Sequence, residues 1–550
     1  MTALTSLPPE ILHHIFRWLC PRDLLLLPRV CRLFYGNVRG NVKLHRDVYL
    51  LTYDAPADAQ PDWETALDDL TKLEAICHRD TAAEKVVPCH RCLSLVDAYL
   101  PCPLRQVAEL DFVSRTVNRL LRHASSQGQT TDNSYTHCES RNASFLAELF
   151  ADQSTCEAFL QRSSLFERVR NEHHLPKLRG STPAFHHQQS AKLHCLYGKP
   201  ILNIGRLRST RTYPYAVSKV YDLRQYTDRT RWGPFMDDAT DRVDWERVEA
   251  ILIVLGYNIT MRRLTKLFAD VWDTPFSGSW PKSYMPAPRA PLPPLDAEDP
   301  FGVTGTWYRI VCFLDYNDFF HFNFPVNDDV LDDTPRPAFN VGEATRLIIM
   351  RTHITAIEPP GPEDGQGMPV VRFVGASRSL DDSWDDNASS DLREFTSKGT
   401  VRLTKEGEVR WTTVSIFHGE ERWRSEGVQI GGVQSARGVV GHWFDKDYDP
   451  QGPVGPTAFW KAGDAEGTTD TIQGLLSSDF LLTYSAIASM DDSDPEAEMD
   501  YEDDELDDEL DMDDELDMEP ISNELPGLLM DAEREVADMV QQADHSDGWS

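Results

Sequence analysis

Four cysteines in the N-terminal part of the chain are spaced so that they could share one metal ion. Cys89 and Cys92 form a Cys-x-x-Cys pair, with Cys77 before it and Cys102 after it. Thiolates two residues apart can bind the same tetrahedral zinc ion, and a structural zinc site takes four such ligands. The four cysteines are therefore candidate zinc ligands, and no other cofactor is expected. Two alternatives stay open, a redox role for the pair and a role as small buried side chains.

None of the common enzyme motifs accompanies these cysteines. The chain has no Gly-rich phosphate loop that ends in Lys and Ser or Thr, no Gly-x-Ser-x-Gly and no His-Glu-x-x-His. Each of those patterns places a phosphate cradle, a nucleophile or a metal for one type of reaction. We therefore predict that the protein is not an enzyme.

Arginine and tryptophan side chains in the C-terminal half are candidates for binding another protein. These two residue types are enriched among the side chains that dominate the binding energy of protein interfaces. The candidates are Arg346, Arg372, Arg410, Trp411, Arg422, Trp423 and Arg424. For Trp411 a place in the hydrophobic core is the favoured alternative, and for Arg424 the alternative is a surface salt bridge.

The sequence around these candidates alternates between apolar and polar residues, as strands do. Gly407 lies in the turn of one clear hairpin. About six to eight strands with regular turns predict a small antiparallel barrel or sandwich over residues 301–465. The opening Gly305-Thr306-Trp307 is similar to the Gly-x-Trp start of lipocalin-like barrels, which favours the barrel.

The N-terminal region has a different periodicity, which indicates short amphipathic helices. Apolar residues recur every three or four positions from Leu7 to Leu19, and Pro8 and Pro9 stand where a first helical turn tolerates proline. Asp23 is placed to cap a second helix. Three short helices of this length carry more apolar surface than they can bury alone. The surplus must therefore contact the rest of the chain or another protein.

This helical pattern resembles an F-box. The Leu-Pro-x-Glu-Ile-Leu-x-x-Ile-Phe-x-x-Leu run and the later Val-Cys-Arg-x-Phe element both occur without gaps. The resemblance implies that residues 1–50 bind the adaptor Skp1. The expected contact residues are Leu7, Pro8, Ile11, Leu12, Ile15, Phe16, Leu19, Leu24, Leu25, Val30, Cys31 and Phe34. Pro28 departs from the family, which more often has Ser, Arg or an apolar residue there, and it is expected to shorten the second helix.

A wider resemblance covers residues 215–461. Segments such as WGPFMDDATDRVDWERVEAILIVLGYN and HGEERWRSEGVQIGGVQSARGVVGHWF are similar to a large group of fungal F-box proteins. The C-terminal region is also similar to the substrate-receptor domain of F-box only protein 31. The resemblance implies that the β module binds a target protein.

The region between the two modules, residues 51–272, is predicted to be mainly helical. Its clearest helix follows Asp244, a good N-cap, and is expected to stop at Gly256. Residues 273–300 are rich in Pro, Gly and Ser. That composition predicts a linker between domains or an extended strap over a surface.

The acidic charge of the chain is concentrated in its last part. The net charge is −35, and residues 491–519 contain 19 Asp or Glu and no Lys or Arg. Self-repulsion of such a segment predicts a largely disordered acidic tail at residues 466–550. The acidic chain also disfavours nucleic acid as a partner, because phosphate binding needs a basic surface. No apolar run has the length of a membrane span and the cysteines show no disulfide framework, so we expect a cytoplasmic or nuclear protein.

Together these features predict an α+β multidomain protein. It has a three-helix F-box, a helical middle region, an antiparallel β-barrel of lipocalin-like type and a disordered tail. The expected function is substrate recognition in an SCF-type (Skp1–cullin–F-box) ubiquitin ligase, with Skp1, a cullin bound through it and a target protein as partners. The alternatives are a ligand-binding barrel whose F-box regulates its own turnover, and a scaffold outside any ligase that acts through its acidic tail.

Overall fold

The structure, a computed structural model, describes eleven segments of the chain. They are residues 4–56, 61–86, 102–125, 140–175, 184–205, 210–261, 270–284, 294–325, 334–379, 395–417 and 419–463. The predicted acidic tail at 466–550 lies outside them, as do Cys89 and Cys92.

Four short helices form the N-terminal region. They are α1 (Pro9–Phe16), α2 (Pro21–Leu26), α3 (Arg32–Val38) and α4 (Val42–Thr52). Cys20, not Asp23, is the N-cap of α2, and its sulfur accepts a hydrogen bond from the backbone N–H of Asp23. Asp23 instead lies in the first turn, where the helix dipole favours a carboxylate. Pro28 lies in a 3-10 turn, Leu27–Arg29, that ends α2 before α3 begins.

The middle region is helical. Its elements are α5 (Trp63–Cys77), α6 (Ala82–Val86), α7 (Cys102–Arg122), α8 (Arg141–Leu149), α9 (Gln153–Phe159), α10 (Ser164–Glu172), α11 (Ala184–Tyr197), α12 (Tyr213–Val220), α13 (Trp245–Met261) and α14 (Asp270–Asp273). Several begin at a polar N-cap: the side chains of Asp62, Ser140 and Asp152 each accept a hydrogen bond from a backbone N–H of the first turn. In the described part of the chain, no helix has both the length and the apolar character needed to cross a bilayer.

Helix α13 is enclosed by its neighbours on nearly every side. Thirteen of its seventeen residues are buried, and it contacts α10, α11, α12 and strands β7 and β8 of the barrel described below. The expected stop at Gly256 is wrong, since the helix continues to Met261. Gly256 is instead the point where Pro200 approaches the helix, and a Cβ atom added there would lie 2.0 Å from Pro200 Cγ.

The C-terminal part is a closed barrel of eight antiparallel strands, each paired with its sequence neighbours, and β1 with β8. The strands are β1 (Gly305–Phe313), β2 (Ala344–Glu358), β3 (Val370–Ser379), β4 (Phe395–Leu403), β5 (Val409–Phe417), β6 (Glu420–Gln429), β7 (Val439–Asp445) and β8 (Val454–Gly463). Two short helices flank β1: α15 (Pro294–Glu298) precedes it and α16 (Tyr316–Asn323) follows it. Gly407 has a positive φ of 87° in the β4–β5 turn, as the hairpin pattern predicted.

The two faces of the barrel wall pack into different cores. Inward residues such as Trp307, Phe373 and Trp411 form one cluster inside the barrel. Outward residues such as Ile310 and Cys312 belong to a second cluster, shared with the helices. That second core continues from the barrel wall through α13 and the middle helices to Leu12 and Phe16 of α1. The described residues all lie within one compact unit, Met1–Tyr484.

The Pro-rich segment is packed against the barrel over its described residues 273–284. Phe276 and Trp280 are buried. Arg437, in the β6–β7 turn, donates from Nε to Ser279 Oγ at 3.1 Å and from Nη2 to the carbonyl oxygen of Thr274 at 3.2 Å. These contacts make residues 273–284 a strap over the barrel surface.

Replacing Gly256 by Ala is expected to destabilise the protein, although alanine is the better helix former. Alanine favours a helix over glycine by about 1 kcal/mol, but the new methyl group would overlap the Pro200 ring, and overpacking costs about 1–3 kcal/mol. Gly36→Ala in α3 is the matched control, because no atom lies within 4 Å of its added Cβ. Urea unfolding should show a loss for Gly256→Ala and none for Gly36→Ala. A gain at both positions would contradict the packing.

Candidate functional site

The N-terminal helices expose many apolar side chains. Ile11 and Ile15 lie on α1, Trp18 follows in the turn after it, and the three are 47%, 38% and 67% exposed. Leu26, Val30 and Leu33 form a second exposed row from the end of α2 into α3. Ten of the fifteen large exposed apolar side chains of the described chain lie between Leu4 and Leu51. Such a concentration of exposed apolar side chains marks a binding surface.

The twelve predicted contact residues divide into three groups. Pro8, Ile11, Ile15 and Val30 are exposed, and Leu7, Leu19, Leu25 and Cys31 are half-buried. The remaining four, Leu12, Phe16, Leu24 and Phe34, are buried and cannot reach a partner in this conformation. They support the surface from beneath: Phe16 and Phe34 pack edge to face with ring centroids 5.2 Å apart.

Seven of these ten exposed residues were absent from the prediction, Trp18, Leu26 and Leu33 among them. A helical wheel drawn through Ile11 and Ile15 would have found Trp18, since it continues their spacing.

The surface is also basic. Residues 4–51 contain seven Lys or Arg and three Asp or Glu, a net charge of +4 in a chain of −35. An apolar surface with basic surroundings fits an acidic partner.

The barrel interior is closed at one end by aromatic rings. Trp411 packs against Trp307, Phe373 and Phe459, with ring centroids 5.1 to 5.6 Å away. Trp307 donates from its indole N–H to the carbonyl oxygen of Val303 at 2.9 Å, which holds the segment before β1 across this end. We call this region the apolar half of the interior.

Towards the other end, the inward side chains include several polar residues. We call this region the polar half, and it contains Arg309, Arg346, Ser397, Thr413, Ser425 and Thr457, which share the inward side of their strands with the aromatic plug. Eight strands leave an interior that side chains can just fill or that can hold one small group.

Arg309 is the most unusual residue of the polar half. It lies two positions after Trp307, so it also points inward, and it is only 6% exposed. Its Nε donates to Thr457 Oγ1 at 3.0 Å, and among the described residues no carboxylate pairs with it. Burial lowers the pKa of the guanidinium to about 10. The sequence prediction missed Arg309, although an arginine at an inward strand position was the available signal.

Several of the seven predicted binding residues have structural partners instead. Arg410 is buried on the outer wall, where Nη1 contacts Asp241 Oδ1 at 2.7 Å and Nε contacts Glu426 Oε2 at 2.9 Å. Trp411 is part of the aromatic plug, as its alternative role predicted. Neither residue can meet a partner protein, so the prediction is corrected for both.

The other five lie nearer to solvent. Arg372 pairs with Glu358 at 2.7 Å on the outer wall, and Arg424 pairs with Glu426 at 2.9 Å. Arg422 is exposed. Arg346 and Trp423 are on the inward side of β2 and β6, and Trp423 packs edge to face on Trp443 with centroids 5.2 Å apart. Only Arg346 and Trp423 thus share the polar half with Arg309.

The proposed zinc ligands are only partly described. Cys77 is buried at the end of α5, and burial raises the pKa of its thiol to about 12, which favours the thiol over the metal-binding thiolate. Cys89, Cys92 and the side chain of Cys102 lie outside the described residues. Within the described residues, no three His, Cys, Asp or Glu side chains come together as a metal site. Zinc binding stays a prediction.

Comparison with known proteins identifies the N-terminal surface. Residues 4–51 match the sequence model of the F-box-like family. The helices that carry the exposed apolar surface are therefore an F-box-like domain. No curated protein and no solved structure matches the chain.

A carboxyl group at the start of β2 ties the barrel to the helices. Glu343 accepts hydrogen bonds from the hydroxyl groups of Tyr213, at 2.8 Å, and Tyr221, and from the side-chain amide of Asn258 at 2.8 Å. Burial raises the pKa of this carboxyl group to about 7, against the opposing effect of the three hydrogen bonds.

The free energy of unfolding should therefore fall as pH rises from about 4.5 to about 7. In that window the native carboxyl group keeps a proton that the unfolded chain has lost, and each unit of pKa difference corresponds to about 1.4 kcal/mol. The stability difference between wild type and Glu343→Gln, measured by urea unfolding at several pH values, should change across the window. The Glu406→Gln variant, at an exposed position in the β4–β5 turn, should show no such change. Parallel curves for wild type and Glu343→Gln would contradict the assignment.

Proposed function

We propose that this protein is the substrate-recognition subunit of an SCF-type ubiquitin ligase. The match of residues 4–51 to the F-box-like family supports this most directly, because F-box domains generally bind Skp1, which joins them to a cullin. The exposed row of Ile11, Ile15 and Trp18 suits such docking. The basic surroundings of that row suit an acidic adaptor.

In this proposal the barrel holds the target protein. The protein contributes no covalent chemistry; it raises the effective concentration of the target near the ligase's ubiquitin carrier. The continuous core between α1 and the barrel wall favours this role, because it keeps the two binding surfaces at a fixed separation. The proposed location is the cytoplasm or the nucleus.

We also propose a more specific family assignment for the barrel. The eight-stranded barrel that opens with Gly305-Thr306-Trp307 is compatible with the fungal F-box group and with a receptor module of the F-box only protein 31 type. A structural zinc ion held by Cys77, Cys89, Cys92 and Cys102 is also proposed, and zinc analysis of the purified protein would test it.

A second candidate function is a barrel that binds a free ligand, with the F-box serving turnover of the protein itself. The polar half favours it, because it surrounds a buried cation with short polar side chains. Purification after proteasome blockade separates the two candidates. A receptor should retain ubiquitinated proteins other than itself, whereas a self-regulated barrel should retain only its own ubiquitinated form.

Changing both Ile11 and Ile15 to Asp should abolish Skp1 binding without unfolding the domain. Each side chain is exposed, so the change introduces charge at the docking surface while the buried Leu12 and Phe16 keep the helix in place. Hot-spot residues of this kind contribute at least about 2 kcal/mol each, or more than about tenfold in affinity. Calorimetry with purified Skp1 measures the loss.

Leu295→Asp is the matched control, because Leu295 is 41% exposed but lies outside residues 4–51. It should bind Skp1 as the wild type does. Wild-type affinity in the Ile11→Asp/Ile15→Asp variant would refute the docking assignment, and circular dichroism of both variants confirms that they remain folded.

A further inference from the structure

Arg309 has fewer hydrogen-bond acceptors than three other buried arginines, Arg410, Arg437 and Arg247. Arg410 has two carboxylate partners. Arg437 donates to two carbonyl oxygens and a hydroxyl group. Arg247 donates to the carbonyl oxygens of Gln225 and Gly233 and lies 4.4 Å from the centroid of the Tyr226 ring. Arg309 has one hydroxyl acceptor, Thr457.

A buried cation with so little compensation is destabilising unless something else interacts with it. The Nε of Arg309 is used by Thr457, which leaves Nη1 and Nη2 without a hydrogen-bond partner among the described residues. These two nitrogens present parallel N–H donors. That arrangement matches two oxygens of a carboxylate or phosphate.

The surroundings of Arg309 add further donors. Ser397, only 5% exposed, has an Oγ with no hydrogen-bond partner among the described residues. Thr413 and Ser425 bond each other through their hydroxyl groups, and Arg346 places a second guanidinium on the same inner side. One inward carboxylate of the described strands at this end, Asp445, is at the last position of β7 and accepts from the backbone N–H of Asp447.

We propose that the polar half of the barrel is a binding site for an oxyanion, a carboxylate or a phosphate, that Arg309 holds through its two terminal nitrogens. The proposal rests on the proposed function in one respect: the oxyanion is carried by the target protein. Ser397 supplies an additional hydroxyl donor from the opposite wall.

The first test uses the full-length protein with inorganic phosphate and with acetate. Each is titrated at constant ionic strength against chloride, and the midpoint of thermal unfolding is recorded. A bound anion raises the midpoint as its concentration increases. The wild type should show this rise over chloride, and its absence with both probes would overturn the proposal.

Arg309→Gln gives the decisive comparison. It should unfold at the wild-type midpoint or above in chloride, because an uncompensated buried charge is gone, and it should not respond to either anion. Arg309→Lys keeps the charge but loses the paired donors, so it should bind about tenfold more weakly. Arg372→Gln is the matched control, since Arg372 is on the outer wall, and should respond as wild type does. An equal response in wild type and Arg309→Gln would overturn the proposal.

A second test identifies the carrier of the oxyanion. Peptides of one sequence that end in a free carboxylate, contain an internal glutamate or contain a phosphoserine are compared with an uncharged version. Tighter binding of any acidic peptide by wild type, lost in Arg309→Gln, supports a protein-borne group. Binding of phosphate or acetate without any preference among peptides would overturn that part of the proposal. Neither test involves Skp1, so their failure is distinguishable from failure of F-box docking.

Discussion

The packing of helix α13 between the barrel wall and the other helices is the constraint on which the rest of this structure depends. The helix is apolar around most of its circumference, so one packed face would leave much of it in water. Strands β7 and β8 cover one side, and α10, α11 and α12 cover the others. The polar residues that the helix carries must then find partners in the interior. Glu249 does so through His194 Nδ1 at 2.8 Å, and Arg247 through backbone carbonyl oxygens.

That arrangement has a consequence for function. A barrel stands alone when its outer face is polar, but here Ile310, Cys312 and Trp460 face the helices and join their core. The barrel and the N-terminal helices are therefore two ends of one packed body over the described residues. In the proposed role as a ligase adaptor, a fixed distance would limit which surfaces of a target can reach the ubiquitin carrier.

Local patterns predicted the elements well where the determining interactions were local. The three-and-four spacing from Leu7 to Leu19 reports a helix, and the alternation around Gly407 reports a hairpin, because both depend on near neighbours in sequence. Gly256 lies inside α13 where Pro200, more than fifty residues away in the sequence, approaches the helix, and no local signal carries that contact. Likewise, the strap at 273–284 depends on Arg437, which a composition rich in Pro and Gly does not reveal.

The candidate site shows the same difference between local sequence signals and long-range contacts. Exposure separates Ile11 and Ile15 from Leu12 and Phe16, although all four belong to one F-box pattern; the pattern identifies the domain, and only packing shows which side faces a partner. In the barrel, the neighbouring residues Arg410 and Trp411 were both predicted to bind a partner protein because of their residue types.

Because side chains alternate along a strand, Arg410 lies on the outer wall and Trp411 lies in the aromatic plug. The partners of both residues depend on the strand register, which residue type does not reveal.

Residue type alone therefore does not show which arginines can give binding specificity. Exposed ion pairs such as Arg372 with Glu358 contribute about 0–1 kcal/mol and exchange readily with solvent, so they give a target little specificity. A buried donor that lacks a counter-charge is different, because any ligand without a matching oxyanion leaves it unpaired. Discrimination between acidic and neutral groups is then intrinsic to the position of Arg309. A surface arginine of the same type would need an entire interface around it to achieve the same discrimination.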